Sequence, residues 1–293
     1  MKRADSWLRE NFPQLNRRQI DEAISNKLVT LHGKAIKKGD RVEGLETQAL
    51  QAHLADLKLG NPDLQWRMIQ EHEAFWVVYK PSGFPSHPLS LFDRQTATQW
   101  AFAQDRGLAE RFSQTQPTVA PHRLDTDTEG LLIVCKSPAN YELWRSRFQR
   151  KELSKKYLAW CWGKPADASF SIQETVFHRK GDAARMTVAS DPDRRGTGLP
   201  ALSHCEVRKT EEDRCLVQVH CQTGVTHQVR VHLASVGLPL IGDEKYDYLY
   251  SQRPKAVHTH QLLAFHLAWT PRQDDESPAF LAELDTSAFE KRF

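Results

Sequence analysis

Long apolar runs are absent from this chain of 293 residues. No stretch approaches the ~18 consecutive apolar residues that a membrane-spanning helix needs. The first residues, MKRADSWLRENF, lack the apolar core of a signal peptide. Apolar residues make up 40% of the chain and charged residues 26%, a composition typical of folded globular proteins and not of disordered ones. We therefore expect one large or two smaller domains in the cytoplasm.

Cysteine pairs and metal-ligand patterns are also absent. The five cysteines are scattered and form no Cys-x-x-Cys motif, which argues against a disulfide framework and a zinc site and fits a reducing compartment. His227 and His232 stand five positions apart, a poor fit to one helix face, and His258 and His260 lack a carboxylate or cysteine at ligand spacing. The sequence therefore predicts neither a metal site nor another cofactor.

A strong excess of charge of one sign is missing as well, since the formal net charge is +3. The excess lies in residues 1–45, where ten Lys or Arg face six Asp or Glu. A basic module fits contact with a phosphate backbone, although solubility alone would explain a difference this small. A second basic patch lies in residues 142–156, with six basic residues and two acids. Its basic residues are Arg145, Arg147, Arg150, Lys151, Lys155 and Lys156.

The N-terminal segment has the pattern of two short helices and a hairpin. Apolar residues recur at helical spacing in residues 7–12 and again in residues 20–24, with Pro13 between them. Residues 28–31 then predict a strand, and His32-Gly33 predicts a tight turn.

The segment that follows divides the chain into domains. Residues 46–66 have weak periodicity and contain a Gly-Asn-Pro breaker, so we place a linker at residues 47–66. Residues 1–46 would then form a small N-terminal domain, and residues 67–293 a larger second domain.

The most informative stretch is PHRLDTDTEGLLIVCK, from Pro121 to Lys136. Seven polar or charged residues lie between His122 and Glu129, and the apolar run Leu131–Val134 that follows predicts a buried strand. A carboxylate on a loop that a rigid strand supports keeps its geometry and stays open to a ligand. For an isolated Asp, a charged turn entering a strand would be the simpler interpretation.

Other elements surround this loop. Residues 75–79, FWVVY, predict a strand, and the Pro and Gly in KPSG predict a stiff, irregular loop after it. Ser137-Pro138 favours the start of a helix that runs to about Gln149. Residues 155–160, KKYLAW, predict a strand, in which Tyr157 would most often be a core residue.

The C-terminal half adds a hairpin, a strand and a helix. Residues 180–200 are polar and predict a loop or irregular hairpin between strands. Cys215–Gln222 alternates as a strand does, and Thr226 could cap a helix that Gly237 ends. On that helix Arg230 would point out of the core, toward a ligand.

The polar loop resembles a known enzyme signature. HRLDTDTEGLL at residues 122–132 is similar to the HRLDxxTSGLLL signature of the RluA/RsuA family of RNA pseudouridine synthases, with Glu129 where the RluA branch usually has Ser. KPSGFPSHP at residues 80–88 resembles the family's KPxGxxxHP loop, and KKYLA at residues 155–159 resembles its tyrosine motif. The resemblance implies that Asp125 is the catalytic residue.

A further motif comes later in the chain. TGVTHQVRVH at residues 223–232, with Gly242-Asp243 after it, resembles the family's TGRTHQIRVHxxxxGHPIxGD motif, with Val225 in place of Arg. The resemblance implies that Arg230 pairs with the catalytic Asp and that Tyr157 stacks on the target base. Help in removing a proton from the ring of the base is a second role that it leaves open for Tyr157. It also implies substrate contacts, for which we expect Arg123, His122 and His227.

The N-terminal pattern resembles the S4-type RNA-binding domain. NRRQI at residues 16–20 and VTLHGK at residues 29–34 carry this resemblance, with Asn16 and His32 in place of the usual Ser and Asn. It implies contacts to phosphates, and a solvated helix face is the alternative. Together with the second basic patch, the expected RNA-binding residues are Arg17, Arg18, Lys34, Arg147, Lys155 and Lys156.

The resemblance implies an α+β fold with a mixed, mainly antiparallel central sheet and peripheral helices, preceded by a small S4-like module. It implies an enzyme that isomerises uridine to pseudouridine in structured RNA, as a monomer and without a cofactor. Ribosomal RNA is the favoured substrate and tRNA the alternative. The isomerisation breaks the bond from N1 to C1′ and rejoins the base through C5, and the sequence does not decide whether Asp125 attacks the sugar or takes a proton from it.

Two other classes of protein remain open at this point. A catalytically silent RNA-binding protein would keep the basic segments but would not need Asp125, Tyr157 and Arg230 together. A metal-free hydrolase could use Asp125 with His122 as its base, and it would cleave RNA or a nucleoside instead of isomerising it. Asp127 is the rival carboxylate, which we expect to make structural hydrogen bonds.

Overall fold

A computed structural model describes residues 1–112, 118–254, 257–272 and 277–293. Its N-terminal part is built from short strands and three helices around a small apolar core. The elements are β1 (Lys2–Arg3), α1 (Ala4–Asn11), α2 (Arg17–Ser25), β2 (Thr30–Leu31), β3 (Lys34–Ala35), β4 (Arg41–Val42) and α3 (Gln48–Leu57). The expected order of two helices and a hairpin in the first 35 residues is confirmed.

Local sequence explains the start of α2. The side chain of Asn16 accepts a hydrogen bond from the Gln19 amide at 3.0 Å, and the Gln19 side chain accepts one from the Asn16 amide at 3.0 Å. This reciprocal capping box satisfies two amides that the helix leaves unpaired. Ile20 on α2 then packs with Leu8 of α1 in the buried core of the N-terminal part.

The segment predicted to be a linker contains a helix. Leu50 of α3 is fully buried in the same apolar core as Leu8 and Ile20. The weak periodicity of α3 arises because it turns only a narrow apolar face, including Leu54 and Leu57, toward that core. The N-terminal unit therefore extends to the end of α3, and the Gly-Asn-Pro breaker lies just beyond it.

The remaining chain forms one large sheet with helices packed against it. Its first elements are β5 (Arg67–Glu71), β6 (Phe75–Lys80), α4 (Ala97–Gln104), α5 (Arg106–Phe112), β7 (Glu129–Cys135), α6 (Pro138–Gln149) and β8 (Leu153–Trp162). The later ones are β9 (Ser169–Arg179), β10 (Asp182–Val188), β11 (Arg194–Thr210), β12 (Arg214–Cys221), α7 (Gln228–Ser235), a 3-10 turn (Tyr250–Gln252), β13 (Leu262–Trp269), β14 (Phe280–Glu283) and α8 (Ser287–Glu290). No helix in these described ranges is long and apolar enough to cross a membrane.

The sheet has ten strands in the order β10-β9-β11-β12-β8-β13-β7-β6-β5, with β14 paired to β13. Among the strand pairs of the described residues, only the contact between β13 and β7 is parallel, so the predicted mixed, mainly antiparallel α+β fold is confirmed. Gly130 makes the parallel contact possible. Its φ is +126°, and a Cβ atom built there would lie 2.2 Å from the carbonyl oxygen of Ala264.

Burial places the central strands beneath the polar loop. All seven residues of β7 are buried, which confirms the buried strand predicted from the apolar run after Gly130. One apolar cluster, which includes Trp100, Leu132 and Trp144, packs α4 and α6 against the sheet. Another, which includes Val217 and Leu233, packs α7 against it. The residues just before β7 therefore rest on a rigid support.

Two boundaries refine the sequence predictions. The sequence predicts a loop or irregular hairpin for residues 180–200, but they consist mostly of strand. β10 forms a hairpin with β9, and the start of β11 pairs with the other edge of β9, so β10 and β11 are not paired with each other. Helix α6 begins after the Ser137 cap and ends at Gln149, as predicted. The sequence predicts Thr226 as the cap of α7, but the N-cap position is His227; its side chain makes no capping hydrogen bond, and its backbone is left-handed with φ of 56°.

Candidate active site

The loop that carries Asp125 is held from below by the segment 80–86. The Ser86 hydroxyl accepts a hydrogen bond from the Leu124 amide at 2.9 Å and donates one to the Leu124 carbonyl at 3.0 Å. The Ser82 hydroxyl donates to the carbonyl of Asp127 at 2.8 Å. The backbone is thus fixed one residue before Asp125 and two residues after it, which makes segment 80–86 a brace for the loop.

Lys80 lies at the centre of this brace and is fully buried. Its ammonium donates to the carbonyl oxygens of Pro81 at 2.9 Å, Phe84 at 2.7 Å and Thr126 at 2.8 Å. Burial lowers the pKa of Lys80 to about 7, against the attraction of nearby carboxylates such as Asp127. Lys80 therefore links segment 80–86 to the loop that carries Asp125 by buried hydrogen bonds.

Arg230 on α7 connects Asp125 to a second carboxylate. Its Nη1 donates to Oδ2 of Asp125 at 2.9 Å, while its Nε and Nη2 donate to the two oxygens of Asp243 at 2.7 and 2.9 Å. Arg230 and Asp243 are both buried. Because guanidinium and carboxylate meet in a planar fork, Asp243 fixes the direction in which Arg230 presents its remaining nitrogen.

Tyr246 and His227 also lie next to Arg230 and Asp125. The Arg230 guanidinium lies 5.0 Å from the ring centroid of Tyr246. The Tyr246 hydroxyl accepts from the Met186 amide at 2.9 Å and lies 2.7 Å from Nδ1 of His227. This contact ties the His227 ring to Tyr246 and fixes its position beside Asp125. Nε2 of His227 lies 3.8 Å from Oδ1 of Asp125.

Electrostatics keep Asp125 ionised. Burial alone would raise the pKa of its carboxyl, but the neighbouring His227 and the Arg230 guanidinium outweigh burial and hold this pKa below its usual value. Burial lowers the pKa of His227 itself to about 4, so its ring attracts the carboxylate by charge only in acid, when it is protonated. Near pH 7 the ring is neutral and Arg230 supplies the positive charge. For the rival carboxylate Asp127, burial raises the pKa above the usual value. An ionised, aimed carboxylate at Asp125 suits nucleophilic or basic chemistry.

Asp125 opens onto a cavity of about 490 Å³. Tyr157, Lys155, Arg123 and Arg145 line it together with Asp125. Burial raises the pKa of the Tyr157 hydroxyl, so that the ring is an uncharged phenol near neutral pH. The size and lining suit one flipped nucleotide, with an aromatic face for the base and cations for phosphates.

The structure brings together most of the residues predicted for this site. Arg123 is exposed next to Asp125 and lines the cavity. Lys155 also lines it and donates from Nζ to the carbonyl of Thr223 at 2.9 Å. Lys156 pairs in register with His220 and His266 and, because strand residues alternate, it faces the side of the sheet opposite to Tyr157.

His122 has a different role from a reactive base. Its Nε2 accepts a hydrogen bond from the Ile133 amide at 2.9 Å, and its ring stacks on Phe148 at 4.2 Å between centroids. Burial lowers the pKa of His122 to about 3. With Nε2 occupied and the ring hydrogen on Nδ1, neither nitrogen can take a proton, which removes the base that a hydrolase would need.

The prediction that Arg147 contacts RNA is wrong. Its side chain is 1% exposed on the inner face of α6. The guanidinium lies 4.5 Å from the Trp144 ring and 3.8 Å from the Trp269 ring, and Nη2 donates to the Ser277 hydroxyl at 2.9 Å. The basic residues predicted to bind RNA in the N-terminal segment are Arg17, Arg18 and Lys34. All three are exposed.

Sequence reasoning did not assign roles to Asp243, Tyr246 and His260. Asp243 stands in the Gly-Asp pair of the last motif, which was a signal for a functional carboxylate. Gly242 before it has φ of 80°, and a Cβ atom there would lie 2.3 Å from the Thr259 carbonyl oxygen. The ring of His260 meets the Thr128 hydroxyl at 2.8 Å and so supports the loop from the far side. For Tyr246 and His260 the sequence had no signal.

The mixed sheet and the cavity beside Asp125, lined by an aromatic ring and cations, suit an enzyme that acts on nucleotides. Residues 74–235 match the family model described as RNA pseudouridylate synthase, which covers more than half of the chain, and the chain belongs to this family. It is therefore an RNA pseudouridine synthase, an isomerase, and the expectation from the sequence is confirmed.

Relatives and solved structures agree with this assignment. The chain is 29% identical over 254 residues to the ribosomal large subunit pseudouridine synthase D of Escherichia coli (strain K12), covering 83% of this chain and 72% of that one. It is 27% identical over 277 residues to an RNA pseudouridine synthase of Aquifex aeolicus (strain VF5), covering 91% and 85%. The structure of human RNA pseudouridylate synthase domain containing 1 superposes with a TM-score of 0.58 at 21% identity, covering 76% and 84%, and supports the fold.

Proposed function

We propose that Asp125 is the catalytic carboxylate of this enzyme and that its substrate is a uridine in ribosomal RNA. The supporting observation is the contact of Asp125 with Arg230 at 2.9 Å, at a cavity that Tyr157 also lines. Ionised Asp125 either attacks C1′ of the ribose or takes a proton from the sugar, and both routes break the bond from C1′ to N1. The freed uracil turns within the cavity and C5 bonds to C1′. C5 then gives up its hydrogen as a proton and N1 gains one, so that the product is an isomer of uridine and Asp125 returns to its carboxylate form.

The surrounding residues have separate roles in this proposal. Arg230 keeps Asp125 ionised and aimed. The raised pKa of Tyr157 favours stacking on the target base over removal of a proton as a phenolate. Since the reacting atoms are hidden in stacked RNA, the uridine must be flipped out, and Arg123 fills the gap or holds its phosphate. His227 contacts the substrate beside Asp125, and His122 supports the wall of the cavity.

RNA beyond the target nucleotide would be held by the basic residues. Exposed Arg17, Arg18 and Lys34 suit contacts to phosphates from an S4-like N-terminal module, here residues 1–57 including α3. Lys155 serves the cavity, and Lys156 serves RNA only on the opposite side of the sheet. Ribosomal RNA is favoured over tRNA because the Escherichia coli relative is a ribosomal large subunit pseudouridine synthase.

The proposed enzyme works as a monomer in the cytoplasm. One chain supplies Asp125, Tyr157 and Arg230 to the same cavity, so catalysis needs no second copy. The five cysteines are free and buried, as a reducing compartment permits.

Release of tritium from C5-labelled uridine tests the proposal directly. Unmodified ribosomal RNA and tRNA are incubated with wild-type protein, with Asp125→Asn and with the matched control Asp127→Asn. We expect release from ribosomal RNA by the wild type and by Asp127→Asn, and none by Asp125→Asn, whose RNA affinity stays nearly unchanged. Release by Asp125→Asn would move the catalytic role to another group. Release from tRNA alone would replace the substrate, and free uracil among the products would reveal a hydrolase.

A further inference from the structure

A loop of the larger domain inserts a leucine into the N-terminal unit. Leu91 is 1% exposed and belongs to the same apolar core cluster as Leu8, Ile20 and Leu50. Its neighbour Leu89 on the same loop is 47% exposed. The loop therefore buries Leu91 in the other unit while it leaves Leu89 exposed. A loop that only joined two elements of the larger domain would not need this contact.

The backbone of this leucine is held as firmly as its side chain. Oε2 of Glu22 on α2 accepts from the Leu91 amide at 2.6 Å and from the Ser90 hydroxyl at 2.9 Å. The Leu91 carbonyl lies 3.0 Å from Nε2 of His53 on α3. Oδ2 of Asp93 accepts from the amides of Leu89 and Ser90 at 2.6 and 2.8 Å, which shapes the loop before it meets α2. We call Leu91 with Glu22 and His53 the clasp.

A second set of contacts joins the end of α3 to the larger domain. Arg94 forms an ion pair with Asp56 and donates to the Gly60 carbonyl at 3.0 Å. The Gln99 side chain on α4 donates to the Leu57 carbonyl at 3.0 Å. The N-terminal unit is thus docked along α3 as well as at the clasp, and it does not hang on a flexible linker.

The clasp also lies between two sites of the proposed function. On one side, Oε1 of Glu22 accepts from Nε of Arg18 at 3.0 Å, and Arg18 is a proposed phosphate contact. On the other side, five positions separate Leu91 from Ser86, whose hydroxyl holds both backbone groups of Leu124, next to Asp125. A short, fixed path therefore joins the RNA-binding surface to the catalytic loop.

We propose, on the basis of the proposed function, that the clasp holds the N-terminal unit at a set position relative to Asp125 and so selects the target uridine. A flexibly tethered module would offer its bound RNA to the active site at many separations. A docked module admits only RNA whose phosphate backbone and target uridine have the matching separation. Leu91 and Glu22 are then positioning residues that determine specificity, and they take no part in the chemistry.

The variant Leu91→Ala tests the clasp, with Leu89→Ala as its matched control in the same loop. Tritium release is measured on unmodified ribosomal RNA and on a short hairpin that carries only the target uridine mapped with the wild type. We expect Leu91→Ala to lose about tenfold or more in kcat/KM on the long RNA, the order that loss of fixed orientation produces. It should also modify additional uridines there. The short hairpin should react at the wild-type rate, and Leu89→Ala should resemble the wild type on both.

Three results would overturn the proposal. One is a normal rate and unchanged site selection by Leu91→Ala on the long RNA. Another is a loss of RNA affinity, measured by filter binding, that is as large as the loss of kcat/KM in Leu91→Ala. Leu91 would then contribute only to the folding of the N-terminal unit. The third comes from small-angle X-ray scattering of the full chain, which does not depend on activity. Because the contacts of Arg94 would still hold α3, the comparison is made with Arg94→Ala in both proteins. The clasp requires a larger radius of gyration in Leu91→Ala with Arg94→Ala than in Leu89→Ala with Arg94→Ala, and equal radii would exclude it.

Failure of the proposed function would look different. In that case the wild type releases no tritium from either RNA, yet the scattering comparison still decides whether Leu91 docks the unit. The milder variant Glu22→Gln keeps the size of the side chain and weakens the bonds to Leu91 and Ser90. It should shift site selection in the same direction as Leu91→Ala, by a smaller factor, and an unchanged product pattern would count against the polar half of the clasp.

Discussion

Arg230 donates one hydrogen bond to Asp125 at 2.9 Å, while Asp243 occupies its other two bonding directions at 2.7 and 2.9 Å. The two carboxylates hold Arg230 unequally, because Asp243 is more deeply buried than Asp125 and accepts two hydrogen bonds from it instead of one. Arg230 is therefore anchored to Asp243 and directs its remaining nitrogen, Nη1, at Asp125. In this arrangement the buried pair acts as a fixed support, and the reactive carboxylate is the partner that faces the cavity.

Replacing Arg230 by Lys should lower kcat by about 10²–10³-fold. The charge is kept, but an ammonium cannot bond two carboxylates in one plane as the guanidinium does. Single-turnover tritium release measures the loss, and RNA affinity serves as the control, since it should stay near the wild-type value. A normal rate in Arg230→Lys would show that charge alone is sufficient and that the fork geometry has no role.

The pH dependence of turnover should report on the pKa of Asp125. The ionised carboxylate is the active form, so activity is lost as the pH falls through the pKa of the folded enzyme. Because this pKa lies below its usual value, the wild type should keep its rate down to about pH 5. In Arg230→Met the burial of Asp125 is no longer opposed by the guanidinium, so the acid limb should move to higher pH.

The matched control for this profile is Asp127→Asn. Burial raises the pKa of Asp127, so if Asp127 were the essential carboxylate, its removal would abolish turnover and its titration would set the acid limb. We expect Asp127→Asn to keep both the rate and the position of the limb. An acid limb that stays in place in Arg230→Met would contradict the electrostatic role of Arg230.

Glu129, the departure from the family signature, has a structural partner. Its Oε1 lies 2.6 Å from Nη1 of Arg292, and the Tyr79 hydroxyl donates to its other oxygen. Arg292→Ala would leave a buried carboxylate with one partner fewer and should lower the free energy of unfolding by about 1–3 kcal/mol. Urea denaturation measures this loss. In the background Glu129→Ser, which restores the usual residue, Arg292→Ala should cost much less, and equal costs in both backgrounds would show that the two residues are not coupled.

Much of the site could be predicted from the sequence because its chemistry lies in short, ordered motifs. The apolar run after Gly130 predicted β7, and the polar residues before it predicted the reactive loop. The direction of Arg230 followed from helical spacing alone. Its anchoring did not, because the ring of Tyr246 and the carboxylate of Asp243 meet it only after β13, β8 and α7 have packed.

The errors concern contacts between residues that lie far apart in the chain. Arg147 looked like part of a basic surface, since nothing in α6 reveals that Trp269 of β13 covers it. Leu91 stands in an ordinary loop sequence, and its burial depends on α2 and α3. For the same reason the sequence did not reveal α3 within the predicted linker, because α3 has one narrow apolar face and its partner core is formed by residues of α1 and α2.

Arg145 and Arg147 offer a direct test of this correction, because they lie two positions apart on α6. Arg145 lines the cavity, whereas Arg147 is buried between two tryptophans. Arg145→Met should reduce the salt slope of RNA binding by about one, since one phosphate contact is lost. Arg147→Met should leave this slope unchanged and lower the melting temperature, because the cation contacts with Trp144 and Trp269 and the bond to Ser277 are lost. A reduced slope in Arg147→Met with unchanged stability would restore the original expectation that Arg147 meets RNA.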